Sequence, residues 1–152
     1  MKKFIIIISV LMTSLMASDV YSLTLNEKTS NVYPKLIKAF KKNHLIIVSE
    51  IDILNKFRKA GLPKKFGSEF NTKNLTAIKA VIACNGFYGN YIANADPEML
   101  ALCPVRVTLI EKNGKTTLLF VKPTSVSKNS KAYNIIRKLE SKVIYTLNSL
   151  KR

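Results

Sequence analysis

Asn113-Gly114 stands between two β-prone runs, Val105 to Ile110 and Leu118 to Val121, and no other dipeptide constrains the fold as much. A tight type I′ turn needs positive φ at both central positions, which Asn and Gly adopt at least cost, so the pair predicts an antiparallel hairpin. Within the first run Val105, Val107 and Leu109 alternate with Arg106, Thr108 and Ile110. Alternation of this kind turns one face of a strand towards a core. A lone hairpin is marginal in water, so the chain must supply further strands and a covering layer.

Both are readable upstream and downstream. Tyr21, Leu23 and Leu25 alternate with polar neighbours and predict a first strand. Thr29, Ser30 and Asn31 offer N-caps, and Val32, Tyr33, Leu36, Ile37 and Phe40 form the apolar stripe of an amphipathic helix. Leu45 to Ile53 reads as a second strand, and Leu54 to Ala60 as a short helix stopped by Gly61 and Pro63. Residues 61–74, rich in Lys, Gly, Asn and Ser, read as a mobile surface loop. Ala77 to Ala83 reads as a buried strand and Phe87 to Ala95 as a short helix ended by Asp96-Pro97. A last long helix carries Ala132, Ile135, Ile136, Leu139, Val143, Leu147 and Leu150 at helical spacing. This order predicts an α+β, two-layer fold in which helices pack on one face of an antiparallel sheet.

The N-terminus reads as an export signal. Lys2 and Lys3 precede an uncharged stretch from Phe4 to Ala17, too short to span a bilayer comfortably, which ends in small residues. Residues 1–17 are therefore expected to be a signal peptide, with cleavage after Ala17 or as late as Ser22. Residues 18–152 are expected to form one domain in the periplasm or outside the cell. Removing 1–17 takes away Lys2 and Lys3 and no acid, so a formal charge of +16 becomes +14. Of 25 basic residues only Arg58, Arg106, Arg137 and Arg152 are arginines. Proteins that read nucleic acid favour arginine forks and stacking aromatics, so no nucleic-acid partner is expected. Weak attraction to anionic membrane surfaces is expected from charge alone.

Cys84 and Cys103 are the best candidates for chemistry. If their strands run antiparallel, both sulfurs lie at one end of the sheet and a disulfide can form; a parallel crossover would hold them apart. The C-x-x-C spacing of redox pairs is absent. Asn85 and Tyr88, which follow Cys84 directly, complete a candidate ligand or redox site. His44, the sole histidine, is expected to be solvated or to cap a helix C-terminus rather than to serve a thiol as base. Phe87 and Tyr91 share a helical face, which predicts core packing. Glu50 with Asp52 and Asp96 with Glu98 are expected to pair with lysines. One histidine, two distant cysteines and Met99 make no metal signature, and neither a phosphate loop nor a nucleophile elbow occurs. Neither metal nor cofactor is expected, and the chain leans away from enzymes.

The segment Val81-Ile82-Ala83-Cys84-Asn85, then Asp96-Pro97-Glu98, then Cys103-Pro104-Val105-Arg106-Val107 resembles the domain of unknown function 302 family. The likeness extends over roughly residues 21 to 150. It implies a two-layer fold related to the TATA-binding-protein-like architecture, and dimers. Members often place the second cysteine just after the proline, whereas Cys103 stands just before Pro104. The resemblance implies no activity. Together these readings describe an exported basic binding domain with a cleft for a small or anionic ligand near Cys84 and Cys103; a periplasmic thiol redox protein is the alternative.

Overall fold

The computed structural model describes residues 19–151; the signal-peptide reading of residues 1–17 lies outside them. Five strands form one sheet in the order β1-β5-β4-β3-β2, with every neighbouring pair antiparallel. They are β1 (Val20–Leu25), β2 (Ile46–Asp52), β3 (Ala77–Cys84), β4 (Val105–Lys112) and β5 (Lys115–Val121). Asn113 and Gly114 turn β4 into β5 with φ of 52° and 71°. That is the positive-φ pair the dipeptide predicts.

The strands place alternate residues on a common face. Val81 and Ala83 of β3 pair with Val107 and Val105 of β4, and Leu109 and Val107 with Leu118 and Phe120 of β5. All seven are buried. Over them lie α1 (Thr29–Lys42), α4 (Gly86–Ala95) and α5 (Tyr133–Asn148), which contribute Val32, Leu36, Phe40, Ile92, Ile136, Leu139, Val143 and Leu147 to one core. Burying each such side chain stabilises by about 1.5–3 kcal/mol. The two-layer α+β architecture expected from the patterning is present. Ala80, next to Val81 and hence on the opposite face, is also buried, together with Leu54 of the short helix α2 (Ile53–Lys59), and neither joins the main core.

Two local expectations are corrected. Residues 61–74 are not a shapeless loop: Gly61 at φ 75° opens a short helix α3 (Leu62–Phe66), and Gly67 at φ 52° turns it into a 3₁₀ turn over Gly67–Glu69. Glycine reaches these left-handed angles without a Cβ clash, which joins short helices where composition suggested only looseness. The start of α1 is not capped by its own polar residues. Lys28 occupies the N-cap position without a side-chain bond. Instead the Thr29 N–H donates to Glu111 Oε2 at 2.7 Å, so the carboxylate of a distant strand satisfies the helix end.

Among the described residues no helix is long and apolar enough to cross a membrane.

Candidate functional site

Strand β3 ends at Cys84, and β4 begins two residues after Cys103. Because Ala83 pairs with Val105 in an antiparallel ladder, the end of one strand lies beside the start of the other. A 3₁₀ segment, Pro97–Leu102, and a cis Cys103–Pro104 bond deliver Cys103 to that position. The antiparallel alternative therefore holds, and the two Sγ atoms lie 3.3 Å apart as half-buried free thiols in hydrogen-bond contact. A disulfide would bring them to about 2.05 Å. Above the pair runs α4, where Gly89 leaves space: a Cβ there would lie 3.8 Å from the Cys103 sulfur and 3.9 Å from that of Cys84. Burial, then the hydrogen bond to Cys84 and its charge, push the Cys103 thiol up to about 12. Cys103 therefore keeps its proton well into alkaline solution.

Asn85 is committed to structure. Its Oδ1 accepts from the Tyr88 N–H at 3.1 Å and caps α4, while its Nδ2 donates to the His44 carbonyl at 2.8 Å. A buried amide used at both ends is a clamp between the α1–β2 junction and α4. His44 itself follows the C-terminus of α1 with φ 57°, and its N–H donates to the Lys41 carbonyl, the helix-end position expected for it. Tyr88 is half-buried against the core, with its ring edge-on to Phe87 at 5.6 Å between centroids.

The reading of Phe87 and Tyr91 as core residues is overturned. They do share a face, with ring centroids 4.6 Å apart, but Phe87 is 65% and Tyr91 48% exposed. Only Ile92 of α4 is fully buried, because the helix lies at the margin of the core and turns its aromatic face outward.

Beside that face opens a cleft of about 960 Å³. Its walls are Lys41 and His44 from the end of α1, Leu45 to Glu50 along β2, and Asn85, Gly86 and Phe87 at the start of α4. The two cysteines do not line it; Cys84 stands one strand behind, paired with Ile46 of the wall. Sequence reasoning found Asn85 but not the β2 wall. Its register shifts between Ile47 and Ser49, and Ile46 and Val48 stand 65% and 59% exposed. A bulge at a sheet edge re-aims side chains in this way, and an apolar run carries no sign of it. Strand β2 is one of the sheet's two edges, so one row of its backbone groups faces away from the ladder.

The carboxylates divide. Asp52 lies 3.5 Å from Lys79 and accepts the Asn55 N–H, but Glu50 accepts the Tyr33 hydroxyl, and Asp96 accepts that of Ser130 at 2.6 Å. Burial first, then the hydrogen bond to Glu50, push the Tyr33 phenol well above its ordinary value. No group of three or more metal-ligating side chains occurs among the described residues.

Comparison with known proteins agrees with this architecture. The family model "Domain of unknown function DUF302" matches residues 21–150. The crystal structure of an uncharacterized conserved DUF302 protein from Bacillus stearothermophilus superposes with a TM-score of 0.76 at 17% identity, covering 90% of this chain and 100% of that one. At that identity the likeness is one of fold. No curated protein matches the chain. With the family model spanning β1 to the end of α5, the chain belongs to the DUF302 family of domains of unknown function.

Proposed function

We propose that this chain is an exported basic binding domain that holds a small anionic ligand in the cleft between α1, β2 and α4. The observation that carries the reading is the convergence of Lys41, His44 and the first turn of α4 on one open volume. The N–H groups of Gly86 and Phe87 belong to that turn, where a helix has no acceptors of its own. Both residues line the cleft at the positive end of the helix dipole. Ile46, Val48 and Phe87 add apolar walls, so the site suits an anion with a carbon body. Export rests on Lys2, Lys3 and the uncharged stretch to Ala17. The test is a titration of isotope-labelled protein with phosphate, citrate and short-chain carboxylates at fixed ionic strength. Amide shifts concentrated at residues 46–49 and 86–87 are expected; shifts scattered over the lysines would refute the cleft.

A second reading, a thiol redox protein, rests on the 3.3 Å separation of the two sulfurs. Closing the bond would release two protons and pass two electrons to an oxidant such as a partner's disulfide, leaving two thiols there. A Cys84–Cys103 bond that no thiol–disulfide buffer can open and reclose would rule it out.

A further inference from the structure

From Asn55 to Glu69 every residue except Leu62 is exposed. This stretch comprises most of α2, all of α3 and the turn after it, two short helices in contact with each other, of which α2 also rests on β3. It carries Lys56, Arg58, Lys59, Lys64 and Lys65 against the single acid Glu69. None of these five cations forms one of the ion pairs found among the described residues. Between them Phe57 is 41% and Phe66 48% exposed, and the Lys65 ammonium lies 5.7 Å from the Phe66 ring centroid. The two rings rim an apolar hollow of about 310 Å³ whose floor includes Leu54 and Ile78.

Two large rings left half in water beside an apolar hollow are costly to expose and usually mark a surface that something covers. Interleaved cations specify what. Lysines draw such a patch onto an anionic surface, and aromatic rings settle at the depth of lipid headgroups, with one side wet and the other apolar. The α2–α3 pair itself, rather than the diffuse positive charge of the whole chain, then decides attachment. We propose that the α2–α3 pair docks on an anionic phospholipid bilayer surface, with Phe57 and Phe66 entering the headgroup layer and the flanking lysines on lipid phosphates. The surface is separate from the cleft beside α4, and docking does not depend on that cleft being a ligand site.

The experiment is co-sedimentation with mixed phosphatidylcholine–phosphatidylglycerol vesicles and with pure phosphatidylcholine vesicles. Wild-type protein is expected to bind the mixed vesicles only. Removing two lysines in Lys64→Gln with Lys65→Gln should weaken partitioning about thirtyfold. Arg137→Gln with Lys138→Gln on α5, an equal loss of charge elsewhere, should weaken it far less. Phe57→Ser with Phe66→Ser, at exposed positions, should keep the circular dichroism spectrum yet abolish the part of binding that survives high salt. Equal losses from the two charge pairs, or a salt-resistant fraction unchanged by the serine pair, would overturn the proposal. A dimer in solution that the serine pair dissolves, without vesicle binding by the wild type, would overturn it too and give the rings to a second copy of the chain.

Discussion

The Asn85 side chain spans two elements, donating from Nδ2 to the His44 carbonyl at 2.8 Å while its Oδ1 caps α4 through the Tyr88 N–H. This one amide ties the end of α1 to the start of α4 at the wall of the cleft. Asn85→Ala removes a cap and leaves a carbonyl unpaired, so a loss of about 2 kcal/mol is expected. Asn85→Asp keeps the acceptor and loses the donor, and should cost about half as much. Urea denaturation of the three proteins measures both.

Gly86 occupies the first position of α4, and a Cβ built on it meets nothing within 4 Å. Proline is favoured at that position and has no N–H. Gly86→Pro should therefore fold normally while removing the N–H of a residue that lines the cleft. Anion-induced shifts at residues 46–49 should disappear in this variant if the helix end binds the ligand, and persist if it does not.

Gly89 tests the sulfur pair differently. An alanine there would touch both sulfurs only at ordinary contact distance, 3.8 and 3.9 Å. Gly→Ala within a helix typically gains about 0.5–1 kcal/mol. Gly89→Ala should thus raise the unfolding free energy while slowing alkylation of the thiols by covering them. A destabilised variant would mean that α4 already sits as close to the cysteines as it can.

Alkali should unfold the reduced protein through Cys103. Its thiol is held near 12 in the fold against 9.0 ordinarily, so above pH 9 the unfolded chain gives up a proton that the folded chain keeps. Stability is complete below that pH and falls as the pH climbs towards 12. Tyr21 and Tyr33, raised from 10.0, add the same sign later in the titration. Cys103→Ala should delay the onset of the decline towards pH 10, a shift visible in denaturation midpoints across pH.

Acid acts through Glu111. The backbone bond from Thr29, and the hydroxyl bond from Thr76 at 2.9 Å, hold its carboxyl below the ordinary 4.5. The stabilisation is present above that value and is lost as the pH falls through the lowered one. Glu111→Gln should be less stable at neutral pH and show a flatter acid limb, and its amide exchange should quicken in the first turn of α1.

Much of the architecture was legible because it follows period and turn chemistry. Asn113-Gly114, the alternation of Val105, Val107 and Leu109, and the stripe from Ala132 to Leu150 each obey a local rule that the packing then respects. The meeting of Cys84 and Cys103 hung on strand direction alone, which spacing could not settle. What escaped depends on contacts between distant residues. Glu111 capping α1, the bulge that exposes Val48, and the outward face of Phe87 and Tyr91 leave no pattern within their own segments. In residues 61–74 glycine and lysine suggested a loop, yet Gly61 and Gly67 join short helical turns at positive φ.

Strand β1, first in the chain, pairs only with β5, so Val20 must find Val121 before the sheet is complete. The β4–β5 hairpin can close locally and early, but the strand beside Leu118 and Phe120 pairs only across the long stretch from Val20 to Val121. Folding of this domain is therefore expected to be slow for its size. Refolding rates should respond strongly to changes at Leu23 or Leu25 if β1 docks before the barrier, and unfolding rates if it docks after.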